Sequence, residues 1–156
     1  MKTFFYIISI LLFSTYVFAA GSDSSSDSSV SDPYKDAKNL VKRAGKLEKK
    51  DKIDKAKKLY AQAFKKLEKA YSSDKNNPDI LNYMGYTSRK IGNFDQAEKF
   101  YLSGLNIKPD HNGINEYLGE LYVQTNRIDK AKERLEVLKS CNCEEYSELK
   151  EVIDKN

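Results

Sequence analysis

What most constrains this chain is that it repeats itself: residues 78–111 and 112–145 align without a gap at a period of 34 residues. Met84-Gly85 recurs as Leu118-Gly119, Ala97 as Ala131, Phe94 as Ile128, Tyr101 as Leu135 and Tyr83 as Tyr117. A unit of this length holds two helices and a turn. Neither helix can bury its apolar face alone, so each unit stacks on the next. Composition agrees with an all-α reading: no Trp, three Pro and seven Gly in 156 residues leave little for a sheet with many tight turns.

The local chemistry of one unit fits the period. Asn77 is placed to cap a helix whose first residue is Pro78, where a missing N–H costs nothing. Ile80, Leu81, Met84, Ser88 and Ile91 then follow helical spacing. Gly92 can adopt the left-handed conformation that ends this helix, and Asn93 with Gln96 reads as a capping box for the next. Phe94, Ala97, Tyr101, Gly104 and Leu105 form the second buried stripe, with Gly85 and Ala97 small where the helices approach closely, and Pro109 closes the unit.

On these residues the chain resembles the tetratricopeptide repeat (TPR) family. The family pattern of a large apolar residue and Leu-Gly on the first helix, then Ala, an aromatic, Ala and Pro on the second, falls on Leu81, Met84-Gly85, Ala97, Tyr101, Gly104 and Pro109. The third unit keeps Leu118-Gly119, Tyr122 and Ala131 but departs at Asn115, at Leu138 and in lacking the closing Pro, as suits a terminal repeat. Asn126 stands for the inter-helix Gly, a substitution the left-handed conformation tolerates.

A degenerate earlier unit places Leu40, Ala44, Leu47, Ala56, Tyr60 and Ala63 on the signature positions. Its stripe of Ile53, Ala56, Tyr60, Ala63, Leu67 and Tyr71 runs long, so its second helix should reach about 20 residues, or roughly 30 Å. Tyr146, Leu149, Val152 and Ile153 share one face of a short acidic segment, read as a capping helix at about 144–154. The resemblance thus implies a TPR-like α-solenoid of about three helix-turn-helix units, at about 37–70, 78–111 and 112–145, plus that C-terminal helix. It covers residues 34–156.

Ahead of it, Lys2 and the apolar run Phe4 to Phe18 read as a signal segment, with Val17 and Ala19 at the −3 and −1 positions for cleavage after Ala19. The run is short for a bilayer span, which needs about 20 residues, so an uncleaved tether is the alternative. Residues 20–33 form a Ser/Asp-rich flexible leader, too polar to bury much surface. The chain is therefore expected to be exported, to the periplasm of a bacterium or otherwise secreted.

Residues for catalysis are scarce. His111 is the only histidine and reads as a polar loop residue. There is no Gly-rich phosphate loop, nucleophile elbow or histidine pair for a metal, so no enzyme activity, cofactor or metal is expected. Glu144, Glu145 and Glu148 form a carboxylate cluster, expected to face a helix N-terminus. Cys141 and Cys143 should pair in a tight disulfide in an exported chain, with a thiol-redox or metal-binding role as the alternative.

Charge is uneven: residues 34–77 hold 15 Lys/Arg against 6 Asp/Glu, whereas residues 78–156 hold 11 against 14. The basic first repeat is either a solvated face or a surface for an acidic protein or anionic lipid. Nucleic acid is not expected. The TPR resemblance implies a protein or peptide partner in a concave groove lined by the first helix of each unit. By pattern position that groove presents Lys38, Val41, Asn82, Tyr86, Arg89, Lys90, Glu116, Glu120 and Val123. The basic clamp by which some chaperone-binding TPR domains hold a terminal carboxylate is missing: Val41, Gly45, Tyr83, Gly113 and Tyr117 occupy its positions. The expected molecule is a monomeric adaptor.

Overall fold

The computed structural model describes residues 32–156, which form seven helices and, among the described residues, no strand. The expected signal segment, 1–19, and the leader as far as Ser31 lie outside the described residues. The leader's last two residues belong to the fold. Asp32 caps α1 (Pro33–Glu48), its carboxylate accepting from the Tyr34 and Lys35 amides, and Pro33 is the first helical residue. There follow α2 (Ile53–Ser73), α3 (Pro78–Ile91), α4 (Phe94–Ile107), α5 (Asn112–Gln124), α6 (Ile128–Leu138) and α7 (Glu144–Asp154).

Helices pack as consecutive pairs, α1 on α2, α3 on α4 and α5 on α6, with α3 resting on α2, α5 on α4 and α7 on both α5 and α6. This is an all-α solenoid of three helix-turn-helix units with an extra C-terminal helix. The long second helix of the first unit reaches 21 residues. The turn inside each unit passes through one left-handed residue, Asp51 (φ 54°), Gly92 (φ 95°) or Asn126 (φ 59°). Gly92 and Asn126 fill the role expected of them, and Asp51 supplies it in the first unit, where the turn is longer.

Capping separates the six helices of the three units into two kinds. Asp32, Asn77 and His111 hold ψ of 106°, 107° and 108°, and each side chain accepts from an amide of the first turn of its helix. Lys52, Asn93 and Arg127, which enter the second helices, hold ψ of 57°, 71° and 57° and make no such bond. The expected capping box at Asn93 and Gln96 therefore does not form. The chain leaves the tight inter-helix turn with a backbone that aims the Asn93 side chain away from the helix end. His111, read as a loop residue, is the cap of α5: its Nδ1 accepts from the Ile114 amide at 3.2 Å.

The buried stripes follow the period. Ala97, Tyr101, Ile114, Leu118, Leu121 and Ala131 are in one core cluster, and Ala44, Ala56 and Tyr60 in another. Each large apolar side chain among them contributes roughly 1.5–3 kcal/mol by leaving water. Ile53 departs from its expected stripe and is 42% exposed, because it opens α2 just past the end of α1, beyond the reach of that partner helix. Asn115, which breaks the family pattern, is fully buried and satisfied: its Nδ2 donates to the Pro109 and His111 carbonyls, and its Oδ1 accepts from Arg134 Nη1. It ties the turn between the second and third units to α6.

Candidate partner-binding groove

All nine residues selected by pattern position lie on odd-numbered helices, and eight of them, all but Val123, line two adjoining cavities. Lys38 and Val41 come from α1, Asn82, Tyr86, Arg89 and Lys90 from α3, and Glu116, Glu120 and Val123 from α5. One cavity, of about 560 Å³, runs between α1, α3 and α5, and the other, of about 410 Å³, between α3, α5 and α7. The repeat makes this side by side arrangement. Asn82 and Glu116 stand 34 residues apart, as do Tyr83 and Tyr117, so equivalent side chains meet across neighbouring helices.

These residues occupy different depths. Asn82, Glu116 and Val123 are buried, at 8%, 3% and 9% exposure. Asn82 and Glu116 make a polar floor to the larger cavity, whereas Val123 belongs to the apolar core beside Val152 and Ile153 of α7. Lys38 is exposed at the rim, its Nζ 4.6 Å from the Tyr34 ring centre. Tyr83, Tyr86 and Tyr117 stand half-buried as the walls. Tyr34 meets Tyr83 edge-on at 5.7 Å, and Tyr86 contacts Tyr60 at 5.9 Å and Tyr117 at 5.0 Å. Such pairs add about 0.5–1.5 kcal/mol beyond their area and hold the rings in place. Tyr122 is instead 5% exposed, a core residue with Arg127 stacked on its ring at 4.5 Å.

The two groove cations of α3 are already engaged. Arg89 pairs with Glu120 at 2.5 Å and lies over the Tyr86 and Tyr117 rings. Lys90 pairs at 2.9 Å with Glu48, which also accepts from the Tyr60 hydroxyl at 2.8 Å. Beneath Arg89, the fully buried Tyr101 hydroxyl has no hydrogen-bond partner, and burial pushes its pKa upward. Glu116 is the most perturbed acid. Burial, the adjoining Glu148 carboxyl and the nearby charges of Glu120 and Glu145 push its carboxyl up to about 9, so it is protonated near neutrality.

Sequence reasoning missed the part played by α7. Besides covering the third unit through the fully buried Leu149, it walls the groove with Glu145, Glu148, Glu151, Val152 and Lys155. The signal was available: Tyr146 follows Asn112 by one more period, so α7 sits where the first helix of a fourth unit would sit. Glu144 and Glu145 lie in the first turn of α7, as expected of a carboxylate cluster at a helix N-terminus. Glu148 lies a turn further on and points its charge at Glu116. Cys141 and Cys143, just before α7, are joined as a disulfide with Cα atoms 5.2 Å apart. Among the described residues no group of three or more His, Cys, Asp or Glu side chains could hold a metal ion, and no helix is long and apolar enough to cross a membrane.

A sequence profile of the tetratricopeptide repeat family matches residues 55–114. Over 71 residues the chain is 31% identical to Protein O-mannosyl-transferase TMTC3 of Homo sapiens, a stretch that is 46% of this chain and 8% of that protein. The chain thus spans less than a tenth of that relative's length. The type III secretion translocator chaperone SycD of Yersinia enterocolitica superposes with a TM-score of 0.50 at 15% identity, over 77% of this chain and 89% of the other. The first TPR domain of Spaghetti (RPAP3), bound to an HSP90 peptide, superposes with a TM-score of 0.48 at 19% identity, over 78% and 94% of the two chains. At 15% identity the superposition on the translocator chaperone speaks to the fold alone. The chain is a helical-repeat protein of the tetratricopeptide fold.

Proposed function

We propose that this TPR-fold protein is an exported adaptor, working as a monomer, whose groove holds a peptide or protein segment. The observation that carries the reading is the cavity of about 560 Å³ between α1, α3 and α5, with tyrosine walls and a polar floor. Rigid aromatic walls supply contact area at little entropic cost, and a few buried polar atoms orient what lies between them. A cavity of this size takes two or three side chains of an extended segment, and the open groove toward α7 lets the segment continue. The run Phe4 to Phe18 with Val17 and Ala19 supports export, and periplasmic residence in a bacterium is part of the proposal.

The test is an affinity capture from envelope extract with residues 20–156 and a variant carrying Lys38→Ala and Tyr86→Ala. A partner held by the first and lost by a variant of unchanged helicity supports the adaptor. Equal recovery by both rejects the groove. N-terminal sequencing of the protein from the cell envelope tests export: a start at Ala20 is expected, and an intact Met1 in the cytoplasm refutes it.

A further inference from the structure

Resting on that groove reading, we propose that the groove seats a lysine or arginine side chain of the partner segment, with its cationic head on Glu116 and Asn82. The charge balance of the groove points there. Arg89 is matched by Glu120, Lys90 by Glu48 and Lys155 by Glu151. Asp79 is engaged by His111, whose Nε2 lies 3.0 Å from Asp79 Oδ1. Among the described residues Glu116, Glu145 and Glu148 have no ion-pair partner, and all three line the groove. Lys38, across the cavity on α1, is the facing cation without a salt bridge.

A second observation, independent of the carboxylates, asks for the same ligand. Asn82 is 8% exposed and lines the cavity beside Glu116; its Oδ1 is closed off without a hydrogen-bond partner, so a donor in the cavity reaches it when the side-chain amide turns. A buried acceptor without a donor costs about 1–3 kcal/mol until a donor arrives. An ammonium or guanidinium brings several N–H donors and a charge. The faces of Tyr83, Tyr86 and Tyr117 suit both parts of such a side chain: they attract the cation and pack its methylene stem.

Other occupants fit worse. An acidic segment meets the unpaired carboxylates of Glu145 and Glu148 and does nothing to ionise Glu116. A wholly apolar one leaves Asn82 Oδ1 without a donor. Calcium wants six to eight oxygens around it, and no acidic group of that kind is assembled among the described residues. Seating a cation lets the Glu116 carboxyl ionise, so binding releases its proton to solvent. The groups that tune this step are Glu120 on its own helix, Tyr86 and Arg89 on α3, and Glu145 and Glu148 on α7. Tyr34 and Lys38 of α1 close the cavity from the far side.

The experiment starts from a phage-displayed library of random dodecapeptides, selected on residues 20–156 and counter-selected on the Lys38→Ala, Tyr86→Ala variant. Enriched peptides are then synthesised, each with and without its Lys or Arg replaced by norleucine, and titrated calorimetrically into native protein, Glu116→Gln and Asn82→Leu. The expected result is one shared Lys or Arg position, whose replacement weakens binding at least tenfold in native protein and far less in Glu116→Gln. Native affinity should rise by up to about tenfold per pH unit between pH 6 and 8, with close to one proton released, and Glu116→Gln should show neither. Glu116→Gln is isosteric and removes a buried acid, so it keeps the fold. Asn82→Leu removes the unpaired acceptor without touching a charge and should weaken binding severalfold. Peptides that need the groove but lack a shared cation, or that bind Glu116→Gln unchanged, overturn the cation seat and leave the groove reading standing. No groove-dependent peptide at all overturns both.

Discussion

Two glycines on first helices should respond to the same substitution with opposite signs. Gly45→Ala places a methyl 3.9 Å from the Tyr60 hydroxyl, an ordinary contact, and gains helix propensity. That gain is about 0.5–1 kcal/mol. Gly85→Ala gains the same propensity but places its methyl 2.4 Å from Tyr101 Cε1, 2.6 Å from Cδ1 and 2.8 Å from Cζ. Tyr101 is fully buried, so its ring has nowhere to swing, and α3 and α4 must move apart. Overpacking of this kind costs about 1–3 kcal/mol, and a methyl pressed on three atoms of a rigid ring puts it near the upper end. The net expectation is a loss of about 2 kcal/mol at Gly85 and a gain of up to about 1 kcal/mol at Gly45. Urea denaturation followed by far-ultraviolet circular dichroism would resolve a difference of that size. Thermal midpoints should differ by roughly 10 °C for a domain of this length. Adding Tyr101→Leu to Gly85→Ala, which installs the Leu135 of the third unit in the second, should recover part of the loss. Gly85→Ala at or above native stability would refute the close approach of α3 and α4.

The Glu116 carboxyl, raised from 4.5 to about 9, takes up a proton on folding across that interval, so native stability should fall as pH rises from about 5 to 9. Glu116→Gln should flatten that slope and be more stable than native protein at pH 8 by on the order of 1–2 kcal/mol, once screening in the open groove is allowed for. Urea midpoints at pH 5, 6, 7 and 8 decide it, and parallel slopes would contradict the assignment. Leu149→Ala, which removes the fully buried anchor of α7 against Gly119, should cost about 2–4 kcal/mol in the same assay. It should also raise hydrogen exchange in α7 before α5. Asn115→Ala leaves the Pro109 carbonyl without its side-chain donor and the His111 carbonyl with the residue-115 amide alone, and should cost about 2 kcal/mol despite the small change in volume. Replacing both Cys141 and Cys143 with Ser opens a ring with a sequence separation of only 2, so the loss should not exceed about 1.5 kcal/mol.

The fold was legible because the period and the local chemistry agreed. Gly85, Ala97 and Gly92 each stand where a repeat unit needs a close approach or a left-handed turn, and the structure puts them there. Misreadings arose where side-chain identity was taken without backbone direction. Asn93 has the chemistry of a cap, but ψ of 71° denies it the geometry, while His111, an uncommon cap, has ψ of 108° and performs the task. Asn115 broke the pattern because it joins the carbonyls of Pro109 and His111, in the turn before its own helix, to the guanidinium of Arg134 on the next helix, α6. No local rule contains that reason.

For the groove, register could be read and depth could not. The period alone assigns Asn82 and Glu116, or Tyr86 and Glu120, to the same side of the solenoid. What each does there depends on partners from other units. Arg89 is consumed by Glu120 from the next unit and Lys90 by Glu48 from the one before, so two cations that look available in the sequence are spent inside the fold. The excess of lysine in the first unit is no guide to the groove either, because most of it stands exposed on α1 and α2 away from these cavities. The α7 carboxylates work the other way. Read as part of a cap, Glu145 and Glu148 turn the last stretch of groove acidic and press their charge on a buried neighbour. A chain of formal net charge +4 thus carries an acid-lined groove. The consequence is physical: salt should weaken contacts made by the outer lysines strongly, and those made at the buried Glu116 floor much less, because screening reaches exposed charges first.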